Sequence, residues 1–339
     1  MLGLSSAPPV LSVKPSELTL SVRIQGIKQW IRNCDMHHSL DCAPTVDDNI
    51  FPIRLIECSS NSLRLVDIEE VRRENKRPQY ITLSHCWGES RTMYKTTQRT
   101  LSEHQSLIPF DALPQTFQDA INICRELGVQ YLWIDSLCII QDNNEDWNCE
   151  ASKMGSIFHG AFLTISALSS ANSDGGCIFP PDIKPFTKLD LPGANRGTVY
   201  IQERRSTAII SNIFEQSPMA RRGWILQEMI LSNRVIHFGK GQIFWQCRKL
   251  FQSEDRLYTS IYKEAFSDIV GPFHPLPSLQ NLSSKTWWAI VVEHWSRSLT
   301  FPQDSLPSLE GMKNFYQKIT GDESVLGLWK KNLPVHLSW

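Results

Sequence analysis

Between Tyr80 and Ala167 the sequence reads as strand, helix, strand, helix, strand. That alternation commits the segment to a parallel α/β sheet. Tyr80-Ile81-Thr82-Leu83-Ser84 is a short β-branched and aromatic run. Leu113-Pro114 opens a helix carrying Phe117, Ala120, Ile121, Cys124 and Leu127, with Gly128 after its end. Tyr131 to Ile134 is almost continuously apolar, as in a strand buried on both faces. Asn144 can cap a second helix, with Glu145 and Asp146 in its first turn. Trp147, Glu150, Ala151, Met154, Ile157 and Phe158 follow along it. Ala161 to Ala167 is the third strand.

The flanks are less regular. Ile24, Ile27, Trp30 and Ile31 share one face of a short leader helix. Phe51 to Asp67 reads as two strands around a Ser59-Ser60-Asn61 turn, and polar Glu69 to Gln79 as an exposed linker. A Gly, Pro and Asp-rich loop runs from Ser169 to about Gly193, followed by a strand over Thr198 to Gln202. Met219 to Leu231 reads as a helix centred on Trp224 and Glu228. Arg234 to Phe238 and Gln242 to Cys247 form a hairpin across Gly239-Lys240-Gly241. Three helices are expected in the tail: Trp287 to Trp295, Leu309 to Ile319 and Val325 to Leu333.

Charge limits the partners. With 34 Lys plus Arg against 35 Asp plus Glu, the net charge is -1. Broad nucleic-acid binding, which needs a basic surface, is therefore not expected. No apolar run reaches the roughly 18 residues that span a bilayer, and residues 1–13 carry no basic-then-apolar secretory signal. The nine Cys are an odd number without a small-domain framework, as in a soluble cytoplasmic chain with reduced thiols.

Candidate site residues cluster at the strand ends. Asp135 follows a buried parallel strand, where open α/β sheets place ligands; alternatively it orders the next loop. Ser84, His85, Trp87 and Gly88 follow the first strand, where Trp87 either stacks on a base or packs beneath the loop. Gln141 and Asp142 either hold ribose hydroxyls or fold the loop on itself. Cys138 reads as a buried core thiol, with no His near it in sequence. Glu228 is a competing carboxylate that also suits an ion pair with Arg222 or Arg234. Cys34, His37, His38 and Cys42 have ligand chemistry, but structural zinc sites use two separated ligand pairs. No metal site is expected from this one compact cluster. The sequence has neither a P-loop nor a G-x-G-x-x-G after a strand.

Tyr80 to Gly88, Leu113 to Ile121, Tyr131 to Asp142 with Asp146-Trp147 and Glu150 to Met154, Arg222 to Glu228 and Leu231 to Arg234 together resemble the fungal heterokaryon incompatibility (HET) domain. Trp30, Cys34, His38, Cys42 and Pro52 to Leu55 resemble the leader of such proteins. Trp288 to Thr300, Asp304 to Leu309 and Gly327 to Trp329 resemble the region that follows. The resemblance divides the chain into a leader (1–77), a HET domain (78–252) and a mainly helical C-terminal region (253–339). The chain stops at Trp339 inside what looks like a continuing region, as a truncated one would.

The resemblance implies an effector in non-self recognition and programmed cell death. It also implies a TIR-like, flavodoxin-like parallel sheet, and by fold analogy alone the binding or hydrolysis of NAD. On that analogy Glu150 and Asp135 are the catalytic candidates. Ser84, Trp87, Gly88, Gln141, Asp142 and Trp147 would bind NAD as substrate, with no cofactor required. A carboxylate beside Trp147 could stabilise an oxocarbenium-like ribosyl centre; Glu150 pairing with Lys153 on the protein surface is the alternative. The rival expectation is a non-enzymatic module acting by self-association or through other incompatibility or sensor proteins.

Overall fold

The computed structural model describes residues 19–43, 50–59, 63–88, 94–181, 187–190, 198–201, 207–256, 258–261, 284–299, 301–325 and 327–333. The expected Ser60-Asn61 turn, much of the loop to Gly193 and the last residues of the tail lie outside these.

The leader helix α1 (Leu20–Cys42) is capped by Thr19 and buries Ile24, Ile27, Trp30 and Ile31. Next come β1 (Arg54–Cys58), β2 (Leu63–Asp67) and α2 (Ile68–Glu74). The segment expected as a linker is thus helical at its start, because Ile68 and Val71 supply a buried face. The central run is β3 (Tyr80–Ser84), α3 (Leu101–Ser106), α4 (Gln115–Leu127), β4 (Tyr131–Trp133), the single turn α5 (Asp135–Cys138), α6 (Asn144–Gly160) and β5 (Leu163–Ser166). Asn143 rather than Asn144 caps α6, accepting from the N–H groups of Glu145 and Asp146. Then follow β6 (Thr187–Asp190), β7 (Thr198–Ile201), α7 (Thr207–Glu215), α8 (Gly223–Leu231), β8 (Arg234–Gly239), β9 (Gln242–Cys247), β10 (Leu250–Ser253) and β11 (Thr259–Ile261). The tail holds α9 (Ser284–Trp295), α10 (Pro307–Thr320) and the two-residue strands β12 (Ser324–Val325) and β13 (Leu328–Trp329).

The protein is α/β with a mixed nine-stranded sheet ordered β11-β10-β9-β8-β5-β3-β4-β1-β2. β4, β3, β5 and β8 are mutually parallel, and their order in the sheet is second, first, third, fourth along the chain. Hairpins extend both edges antiparallel: β2-β1 beside β4, and β9-β10-β11 beside β8. All residues of β3, β4, β5, β8 and β9 are buried. Right-handed crossovers place α4 on one face and α6 and α8 on the other. The helix contacts agree: α1 packs with α4, while α6, α8 and α10 pack together.

Threonine in such strands needs partners. Thr82 and Thr164 share a hydroxyl hydrogen bond of 2.8 Å, Thr164 meets Ser232 at 2.7 Å, and Ser232 donates to the Glu228 carbonyl at 2.6 Å. This buried chain fixes α8 over the sheet.

The tail packs on α8 in a second core, where Trp287, Leu309, Met312, Tyr316 and Trp329 meet Leu226, Ile230 and Leu231, and Tyr316 stacks on Trp329. The helix expected over Val325 to Leu333 is replaced by the β12-β13 hairpin and a short 3-10 turn. Gly327 takes φ +84 there, and that left-handed backbone breaks a helix.

Asp119 on α4 anchors the loop after β5. Its carboxylate accepts the N–H groups of Cys177 (2.7 Å) and Ile178 (3.2 Å) and the Gln115 amide (2.7 Å). Asp119→Ala strands two N–H donors and is expected to lower stability by about 2–3 kcal/mol. The measurement is a urea midpoint at unchanged slope; an unmoved midpoint would mean that other contacts hold the loop.

Candidate functional site

β3 and β4 are adjacent and parallel, so Ser84 and Asp135 emerge at the same edge of the sheet. α8 then brings Arg222, at its N-terminus, and Glu228 across these ends. The Ser84 hydroxyl donates to the Glu228 carboxylate, and Arg222 donates to the His85 carbonyl. The Trp87 indole N–H donates to the Asp135 carboxylate at 2.8 Å, and Asp135 also accepts the Ser136 N–H at 2.7 Å. The Arg222 guanidinium lies 6.0 Å from the centre of the Trp87 ring. Arg297 donates to the Arg222 carbonyl at 3.2 Å and to Glu293 at 3.0 Å.

The electrostatics bind this cluster into one unit. Burial pushes the Asp135 carboxyl up to about 6, with Arg222 opposing. Burial pushes Glu228 up to about 7; the Asp135 charge adds to this, while Ser84, Arg222 and Arg297 oppose it. Two acids in one field, both raised by burial, can hold or accept a proton near neutral pH. His85 is buried against Phe117 and held down at about 3 by burial and then Arg222, so it stays neutral at physiological pH.

The other candidates distribute differently. Gly88 is exposed and takes φ +80 against Asn172. Gln141 donates to the carbonyls of Asp135 (3.0 Å) and Ile139 (3.1 Å), and Asp142 accepts the Gln98 N–H at 2.8 Å. Gln141 thus folds the loop on itself against Asp135, while Asp142 ties the loop to the segment before α3. Trp147 sets its ring edge-on to Trp224, 6.2 Å away, close in sequence to Arg222. Cys138 is fully buried.

Glu150 lies apart from this cluster. Its carboxylate accepts the Ile53 N–H at 3.0 Å and pairs with Lys153 at 3.8 Å. Burial raises it to about 7, opposed by the Ile53 N–H, Lys153 and Arg54. Ile53 and Lys153 line a surface concavity of about 700 Å³ that also meets Arg72 and Arg73. A second concavity, about 550 Å³, is lined by Glu69, Arg72, Arg73, Lys76 and Arg77. Neither is lined by Asp135 or Glu228.

The metal-type donors regroup in the fold. Cys34, His38 and Cys42 on α1 meet Cys247 at the end of β9, all four donor atoms lying within 4.8 Å of one another. His37 is exposed and takes no part. The expectation of no metal site weighed only the leader segment; the fourth donor comes from 209 residues beyond His38.

An α/β domain with a mixed sheet, four parallel strands at its centre, and an acid pair and a guanidinium at the ends of those strands is thus the class that the geometry defines. Residues 80–228 match the family model of the heterokaryon incompatibility protein (HET). The chain is also similar to heterokaryon incompatibility protein 6, OR allele, of Neurospora crassa. The two are 31% identical over 104 residues, covering 29% of this chain and 15% of that protein. The matched part is therefore a small fraction of that relative's length. No solved structure matches. No described helix is long and apolar enough to cross a membrane.

Proposed function

We propose that this protein acts in heterokaryon incompatibility, as a cytoplasmic effector of non-self recognition and cell death. Its HET domain would do so by binding and hydrolysing an NAD-type nucleotide. The carrying observation is the convergence of Asp135, Glu228, Arg222 and Trp87 at the ends of β3 and β4. The second-first-third-fourth order of the parallel strands supports a flavodoxin-like, TIR-like core. Sheets of that order bind ligands at these carboxyl ends, beside the first strand.

In this reading Arg222 takes a phosphate, which its planar guanidinium suits. Asp135, ionised above about 6, stabilises positive charge on the ribosyl ring as the nicotinamide leaves. Glu228, poised near 7, accepts a proton from the incoming water. Water adds to the ribosyl carbon, and the products are nicotinamide and ADP-ribose.

The test is NAD consumption by the purified chain beside Asp135→Asn, Glu228→Gln and Glu150→Gln. Turnover is expected to fall by about a hundredfold or more in the first two and to persist in Glu150→Gln. A loss confined to Glu150→Gln would move the site to the α6 concavity. A wild-type chain that leaves NAD intact, even under induced assembly, would end the enzymatic reading.

A second reading is a module that signals by self-association. Val292, Trp295, Phe301 and Leu306 are 55–70% exposed along one stretch of the tail, an apolar exposure that a second copy would cover.

A further inference from the structure

We infer that Cys34, His38 and Cys42 of α1 and Cys247 of β9 bind one zinc ion, which clamps the N-terminal helix to the sheet. Spacing of four residues puts the three α1 donors on one helix face. Cys247 closes the set from the sheet, with its Sγ 3.5 Å from His38 Nδ1. A tetrahedral zinc ion holds thiolates about 3.8 Å apart and a thiolate about 3.6 Å from an imidazole nitrogen. The four donor atoms, all within 4.8 Å of one another, need little movement to reach that geometry.

The surroundings suit thiolate ligands. Backbone N–H groups of Lys249 and Leu250 favour the Cys247 thiolate, and that of Arg248 favours the Cys42 thiolate. Such outer partners orient ligating sulfur and hold its charge. Three thiolates around a divalent ion leave one negative charge, which the buried Arg248 beside Cys42 and Cys247 offsets.

Three sulfurs and one imidazole select zinc over magnesium or calcium, which take oxygen ligands. With four protein donors no position is left for a substrate, so the ion is structural. Its effect is on domain architecture. Trp30 stacks on Trp245 at 6.2 Å, and Asp41 pairs with Lys249 at 3.1 Å. The ion would complete this seam, making the leader part of the folded domain although the family match begins at residue 80.

The experiment uses the full chain, purified under reducing conditions and measured for zinc by plasma mass spectrometry. About one zinc per chain is expected, falling below about a tenth in Cys247→Ser and unchanged in the neighbouring His37→Ala. Because Cys247→Ser could also unfold the chain, cobalt is loaded into the wild type. A tetrahedral visible spectrum with a thiolate charge-transfer band supports the site. A metal-free reduced chain that stays so with added zinc, an octahedral cobalt spectrum, or a Cys34–Cys247 disulfide in the reduced preparation would each overturn it.

Discussion

Gly155→Ala should destabilise the protein by about 2 kcal/mol, although the same change in an exposed helix stabilises by about 1 kcal/mol. The reason is the crossing of α6 with α10. A Cβ on Gly155 would sit 2.7 Å from the Gly311 Cα and 2.9 Å from a Leu231 methyl carbon. One on Gly311 would sit 2.7 Å from the Gly155 Cα and 2.6 Å from the Gln227 amide oxygen. The obstructing atoms are mostly backbone, so the helices must part rather than a side chain rotate. Parting them opens the packing of α10 over α6 and α8, which holds the tail to the domain. Gly155→Val should cost about 3 kcal/mol or more, since it adds two further carbons at the same contact. Thermal unfolding gives the sign, and limited proteolysis gives the place: cleavage should begin between α8 and α10. A Gly155→Ala protein as stable as the parent would mean that the helices do not meet at these glycines.

What the sequence revealed depends on how local each signal is. β3, α4, β4, α6 and β5 were legible because continuous apolar strands and capped amphipathic helices carry their pattern in a few neighbouring residues. β8 was legible only as half of a hairpin; its parallel pairing with β5 depends on a crossover that no local pattern encodes. The site divides in the same way. Asp135 was readable from its place after a buried strand. Glu228 looked like one ion-pair candidate among several, because its partner Ser84 lies 144 residues away. Glu150 drew attention through its proximity in sequence to Trp147, yet its helix turns it toward Ile53 and Lys153. Cys247 has no local signal in the sequence, because only the fold brings its strand, through Trp245 against Trp30, beside the leader helix. Spacing rules for zinc sites expect two separated ligand pairs, and they pass over three ligands on one helix closed by a single distant cysteine.

Glu228→Gln should make the protein more stable than the parent at pH 8, with the difference shrinking toward pH 5 and gone below about 4.5. Burial raises the Glu228 carboxyl from 4.5 to about 7 in the folded protein. A raised folded-state value means that folding favours the protonated acid. The stability from that preference is complete below about 4.5 and is lost as pH rises through about 7. At pH 8 the ionised, buried carboxylate therefore costs on the order of 3 kcal/mol relative to a neutral side chain. Glutamine supplies that neutral side chain with nearly the same shape, and its carbonyl still accepts the Ser84 hydroxyl. The Asp135 charge, which adds to the cost of ionising Glu228, then has no neighbouring carboxylate to oppose. Differential scanning calorimetry of both proteins from pH 5 to pH 8 reads this directly. A parent that is more stable at pH 8 would show that Arg222 and Arg297 fully compensate Glu228, making it a structural ion-pair member. The expected result instead places a destabilising charge at the strand ends, where a charged ligand or a proton transfer gives it a use. The same Glu228→Gln protein then serves for NAD turnover, because lost activity in a more stable chain cannot be attributed to unfolding.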